Sequence, residues 1–117
     1  MNRRAVAERQ GRRAETIAAW WLRLQGWRIL AQRARVPGGE VDLVARRGGT
    51  LAFVEVKKRR DQQSADLALD RSRLKRVAVA AERLAPRYGR GCSTIRIDAI
   101  FIVPGRWPRH VPDVWSG

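Results

Sequence analysis

The stretch Gly39-Glu40-Val41-Asp42-Leu43-Val44-Ala45-Arg46-Arg47-Gly48-Gly49-Thr50-Leu51-Ala52-Phe53-Val54-Glu55-Val56-Lys57 holds two extended runs around a glycine pair. A Gly-Gly dipeptide suits a two-residue hairpin loop, because both positions reach positive φ at little steric cost. If Gly48 and Gly49 are the loop, Arg47 faces Thr50, Asp42 faces Glu55 and Glu40 faces Lys57. Period-two alternation then sets Glu40, Asp42, Glu55 and Lys57 on one face, with Val41, Leu43, Val54 and Val56 on the other. Two opposed carboxylates with β-carbons about 5 Å apart repel, so the pairing requires a compensating charge. A divalent cation between them is the simplest answer, with Lys57 adding positive charge. A loop one residue longer would separate Asp42 from Glu55, so the chemistry of the hairpin depends on its register.

Around this hairpin the pattern reads helix, three-stranded meander, helix, strand. Arg3 to Gln25 is predicted helical: Asn2 caps its start, Ile17, Ala18, Trp21 and Leu22 form an apolar stripe, and Gly26 suits the position after its end. Glu15 falls at the edge of that stripe, where an ionised group needs a partner. One reading gives it a basic neighbour on its own helix, the other a place in a reacting site. Trp27 to Arg33 reads as the first strand, ended by Pro37-Gly38-Gly39. Glu40 to Arg46 and Thr50 to Lys57 follow. Asp61 to Ala65 reads as a loop. A second amphipathic helix starts at Asp66 or Asp70 and runs to Leu84, with Leu74, Val77, Ala78, Ala81 and Leu84 inward and Pro86 beyond its end. Thr94 to Val103 is a fourth strand, and the proline-containing tail 104–117 allows at most an edge strand.

The 117 residues carry 25 Lys and Arg against 11 Asp and Glu, a net charge of +14. Such a length fits one domain, 1–117, around one core. No apolar run approaches the ~18 residues that cross a bilayer, and the basic start leads into no apolar signal region. We therefore expect a soluble cytoplasmic protein with no membrane partner. Cys92 and His110 stand alone in their residue types, too few for a zinc site or a disulfide, so any metal is held by oxygen, as Mg²⁺ or Mn²⁺ is. The basic clusters suggest a phosphate-binding surface, with nucleic acid as the expected partner. They include Arg12-Arg13, Lys58-Arg59-Arg60 and the face of the second helix that carries Arg73 and Arg76.

The constellation Glu15, Asp42 and Glu55-Val56-Lys57 in this αβββαβ order resembles the PD-(D/E)XK nuclease superfamily. More closely, the chain is similar to the YraN family, small bacterial proteins distantly related to archaeal Holliday-junction resolvases. The likeness rests on Gly11-Arg12-Arg13-Ala14-Glu15, Gly26-Trp27-Arg28-Ile29-Leu30, Gly39-Glu40-Val41-Asp42-Leu43-Val44, Phe53-Val54-Glu55-Val56-Lys57 and Arg96-Ile97-Asp98. It implies an α/β, restriction-endonuclease-like core, a mixed sheet flanked by helices, and metal-dependent hydrolysis of DNA phosphodiesters, branched or structured DNA included. It implies Asp42, Glu55 and the Val56 carbonyl as metal ligands, Lys57 beside the attacking water, and Glu15 near metal-bound water or a second cation. A homodimer follows by the same analogy, since resolvase substrates have two strands to cut. The chain departs from the family pattern in three places: Arg33 stands for an Asn, Lys58-Arg59 for Thr-Arg, and Arg73 for a lysine early in the second helix.

A nuclease-like scaffold that binds nucleic acid without cutting is the alternative. Of the remaining polar and aromatic residues, Glu40 is expected to pair with Lys57, Asp98 with an arginine inside the sheet, and His110 to lie at an edge. Trp20, Trp21 and Trp27 take core-like positions. Trp107 and Trp115 lie in the tail, where they suit a dimer interface or base stacking.

Overall fold

The structure, a computed structural model, describes residues 3–60 and 71–115, with side chains from Gly11 onward. Expectations for Asn2, for the 61–65 loop and for the start of the second helix fall outside the described residues. Helix α1 (Arg3–Leu24) leads into strands β1 (Arg28–Val36), β2 (Gly39–Arg47) and β3 (Thr50–Lys58). Helix α2 (Arg71–Tyr88), β4 (Thr94–Ile102) and β5 (Arg109–Val111) follow. The sheet order is β1-β2-β3-β4-β5, parallel between β3 and β4 and antiparallel elsewhere. A parallel pair requires a crossover, and α2 lies within it. The tail adds β5 at the sheet edge.

Among the described residues, each face of the sheet buries one helix. Ala14, Ala18, Ala19 and Leu22 of α1 pack on Leu43, Ala45, Ala52, Val54 and Ile100. Leu74, Val77, Ala80 and Ala81 of α2 pack on Val41, Val44, Leu51, Phe53 and Ile97. Gly26, at φ +91°, closes α1: its N–H bonds the Arg23 carbonyl, the Trp27 N–H bonds that of Leu22, and Trp27 packs beside Leu22. This is a Schellman cap, available because glycine tolerates the left-handed turn. Of the residues expected inside, one from the predicted stripe and one core-like tryptophan are not. Ile17 and Trp20 are exposed, Trp20 at 59%, because the buried α1 positions are Ala14, Ala18, Ala19 and Leu22 and these two lie outside that stripe.

The hairpin register is as expected, with Arg47 opposite Thr50 and Leu43 opposite Val54. Only Gly48 has a positive φ (+57°), so the loop lacks the type I′ signature that requires both residues to be positive. The alternation of β2 is corrected. Val41 packs on the α2 side and Leu43 on the α1 side, so the two do not share a face. On β1, Ala31 and Ala34 likewise both pack on the α2 side, three residues apart. The break falls at Arg33, whose φ is +53°, and its partner position Asp42, the step absent from the β1–β2 ladder. Beyond this kink β1 resumes to Val36, three residues past its predicted end. α2 also overruns its prediction, reaching Tyr88 with Pro86 inside. Pro86 forfeits one helical N–H, whereas Leu84, Ala85 and Tyr88 gain core contacts and the Gly89 N–H closes on the Ala85 carbonyl at 2.7 Å.

Candidate active site

Glu55 ends the buried part of β3 and is only 2% exposed. Its Oε1 accepts from Arg73 Nε at 3.0 Å and lies 3.2 Å from Lys57 Nζ, while its Oε2 is buried with no hydrogen-bond partner among the described residues. An orphaned carboxylate oxygen is costly in a protein interior. Beside it, at the kink, Asp42 Oδ2 accepts the Val56 N–H at 2.7 Å, so a side chain holds a backbone donor just past the last β2–β3 pair. Burial first, then the charge of Glu55, lift the Asp42 carboxyl to about 7. The Val56 hydrogen bond opposes that rise, Glu15 adds to it and Arg73 opposes it.

Arg73 enters from α2 and touches three carboxylates at once. Besides Glu55, its Nη1 hydrogen-bonds Glu40 Oε1 and its Nη2 lies 3.7 Å from Asp42 Oδ1. Glu40 therefore pairs with Arg73 instead of the expected Lys57, with Arg76 Nε at 3.7 Å and Arg35 Nε at 3.8 Å beyond; Lys57 is drawn to Glu55 on its own strand. Glu15 is partnered across elements as well, its Oε2 accepting from Arg33 Nε at 2.7 Å. A cleft of about 510 Å³ opens beside this cluster, lined by Arg12, Glu15, Arg33, Arg35, Asp42 and Arg73 among others. Glu55 and Lys57 do not line it; they sit behind Asp42 and Arg73.

The structure thus brings Asp42, Glu55 and Lys57 together, with Glu15 across the cleft. Among the described residues, no three of His, Cys, Asp and Glu converge as a ready-made metal set. The donor set for a cation is two carboxylates, one with a free buried oxygen, plus backbone, and that set fits a hard divalent ion. Of the expected phosphate contacts, Arg12 lines the cleft. Arg13, Lys58, Arg60 and Arg76 are exposed, and Arg59 lies over the Phe101 ring at 5.7 Å. The bridging position of Arg73 was not read from the sequence. The signal was present, since three acidic residues on one hairpin face demand a cation, and it was assigned to Lys57 and a metal.

A second polar centre lies on the α1 side of β4. Asp98 is 0% exposed and accepts from Arg96 Nε at 3.0 Å and from the Asp113 N–H at 3.0 Å, with His110 Nε2 at 2.7 Å. Burial alone would raise its pKa, but these hydrogen bonds outweigh it and hold the carboxyl below its ordinary range. Asp98 joins the tail to the sheet and stands apart from the cleft residues.

The family model described as "Uncharacterised protein family UPF0102" matches residues 14–102, which span the second half of α1, all of α2 and the first four strands. The chain belongs to the UPF0102 family. A UPF0102 protein of Rhizorhabdus wittichii is 60% identical over 117 residues, covering 100% of this chain and 99% of that one. One from Sphingopyxis alaskensis is 62% identical over 113 residues, covering 97% of each. The YraN-like resemblance read from the motifs is this family. Among solved structures, the chain is similar to Hjc, a Holliday junction resolvase from the archaeal hyperthermophile Archaeoglobus fulgidus. The TM-score is 0.60 at 21% identity, over 86% of this chain and 73% of that one. The UPF0102 fold here is therefore α/β and nuclease-like, with a mixed sheet between two helices.

Proposed function

We propose that the chain is a metal-dependent endonuclease that hydrolyses phosphodiester bonds of DNA, branched or structured DNA in particular. The observation that carries this reading is the buried, unpartnered Glu55 Oε2 beside an Asp42 whose carboxyl is lifted to about 7. Groups held at such cost are expected where a protein needs them for chemistry. Asp42, Glu55 and the Val56 carbonyl would hold Mg²⁺ or Mn²⁺. When bound, the ion would supply neutralisation of charge on the phosphoryl oxygens and a lowered pKa for water. Lys57 orients the attacking water, and Glu15, fixed by Arg33, holds water from the opposite wall of the cleft. Arg12, Arg13, Lys58, Arg59, Arg60, Arg73 and Arg76 contact the phosphate backbone. The likeness of fold to a Holliday junction resolvase supports DNA as substrate, and the reading includes a homodimer in the cytoplasm.

Incubating the protein with duplex, single-stranded and four-way branched DNA in Mg²⁺ or Mn²⁺ tests this. Cleavage is expected, abolished by EDTA and reduced at least about 100-fold by Glu55→Gln or Lys57→Ala. Intact DNA in every case, or cleavage indifferent to both substitutions, overturns it. One observation favours a second reading, a binder that does not cut: the guanidinium of Arg73 already stands among the carboxylates. On that reading Glu55→Gln leaves DNA affinity unchanged and no cut product forms.

A further inference from the structure

We propose that Arg73 is an internal counter-ion that closes the carboxylate cluster to a divalent cation, and that the cation enters between Asp42 and Glu55 only as the guanidinium withdraws into the cleft. This rests on the metal-dependent reading above. One guanidinium reaches Glu55 Oε1 at 3.0 Å, Glu40 Oε1, and Asp42 Oδ1 at 3.7 Å, so its charge falls on the two residues that would hold the metal. Like charges about 4 Å apart repel strongly enough, even at intermediate dielectric, to shift an affinity by orders of magnitude.

Three features argue that the arrangement is made to open. Arg73 satisfies Glu55 on one side only, leaving Oε2 without a partner among the described residues, whereas a pair serving burial alone would use the bidentate guanidinium–carboxylate geometry. Its side chain is 32% exposed and lines the cleft, so it has somewhere to go. Glu40 keeps Arg35 and Arg76 nearby when Arg73 leaves. In the cleft the freed fork joins Arg12, Arg33 and Arg35, a set suited to phosphate oxygens. The same side chain thus guards the carboxylates and then binds the backbone to be cut.

Mn²⁺ affinity, measured by electron paramagnetic resonance of the free ion, tests the inference on the full chain, with circular dichroism reporting the fold. Arg73→Gln is expected to bind Mn²⁺ at least about tenfold more tightly than the unsubstituted chain. Arg73→Lys, which keeps one charge but cannot span three carboxylates, gains less, roughly threefold. If the unsubstituted chain binds Mn²⁺ and folded Arg73→Gln binds it no more tightly, the counter-ion role is wrong and the metal-dependent reading survives. Should Arg73→Gln fail to fold, Arg73→Lys decides by the same criterion. Absence of Mn²⁺ binding in every folded form overturns both readings together.

Discussion

A carboxyl buried beside a second carboxylate and lifted to about 7 is a group whose ionisation opposes folding. The sign follows from linkage. In the unfolded chain Asp42 ionises near its ordinary 3.8, and in the folded chain it resists until about 7. Stability therefore falls as pH rises between these values, and the whole penalty is present above the upper one. Asp42→Asn removes the charge yet keeps an oxygen for the Val56 N–H. In EDTA at pH 8, urea unfolding should show it more stable by about 2 kcal/mol, with the gain shrinking toward pH 4. A variant that is less stable at pH 8, or equally stabilised at both pH values, would mean that Asp42 serves the fold and not the site. The same residue sits at the kink, and there its carboxylate accepts the Val56 N–H across the hairpin.

At the scale of elements, the distance between β2 and α2 decides whether Arg73 can reach the carboxylates. Gly39 sets that distance: a Cβ there would lie 2.5 Å from the Arg76 carbonyl oxygen and 2.7 Å from the Ala80 nitrogen, both backbone atoms that cannot step aside. Gly39→Ala should push α2 off the sheet and lower stability by about 2–3 kcal/mol in urea titrations. DNA cleavage should fall with it, even at temperatures where the variant is folded. What the sequence revealed of these elements follows the range of the forces involved. The hairpin register was legible because a glycine pair and strict alternation are local signals. The crossing of Val41 to the α2 side was not, since it depends on an arginine adopting positive φ, which no propensity assigns to Arg33. Nor was the Glu40–Arg73 contact, which joins positions made neighbours only when α2 docks on β2. The last turn of α2 was misplaced because Pro86 reads as a stop, while Tyr88 and its packing are tertiary.

Over the whole molecule the charges divide into two populations. The carboxylates of the site are matched by arginines and Lys57 at short range, whereas Arg13, Lys58 and Arg60 face solvent within a chain of net charge +14. Exposed charges of one sign attract a polyanion through release of its counterions, which depends on salt and hardly at all on base sequence. If six or more phosphates are contacted, affinity for a DNA duplex should drop about 1,000-fold between 50 and 200 mM salt. Arg13→Ala and Lys58→Ala should each reduce the slope of log K against log salt by roughly one phosphate's worth, leaving the stability of the fold nearly unchanged. Glu55→Gln should leave that slope intact, since Glu55 is buried behind Arg73 and meets no phosphate. Fluorescence anisotropy across a salt series reads all of these values. A flat salt dependence would mean that the surplus charge does not form the DNA-binding surface. Substrate capture would then fall to the cleft arginines alone.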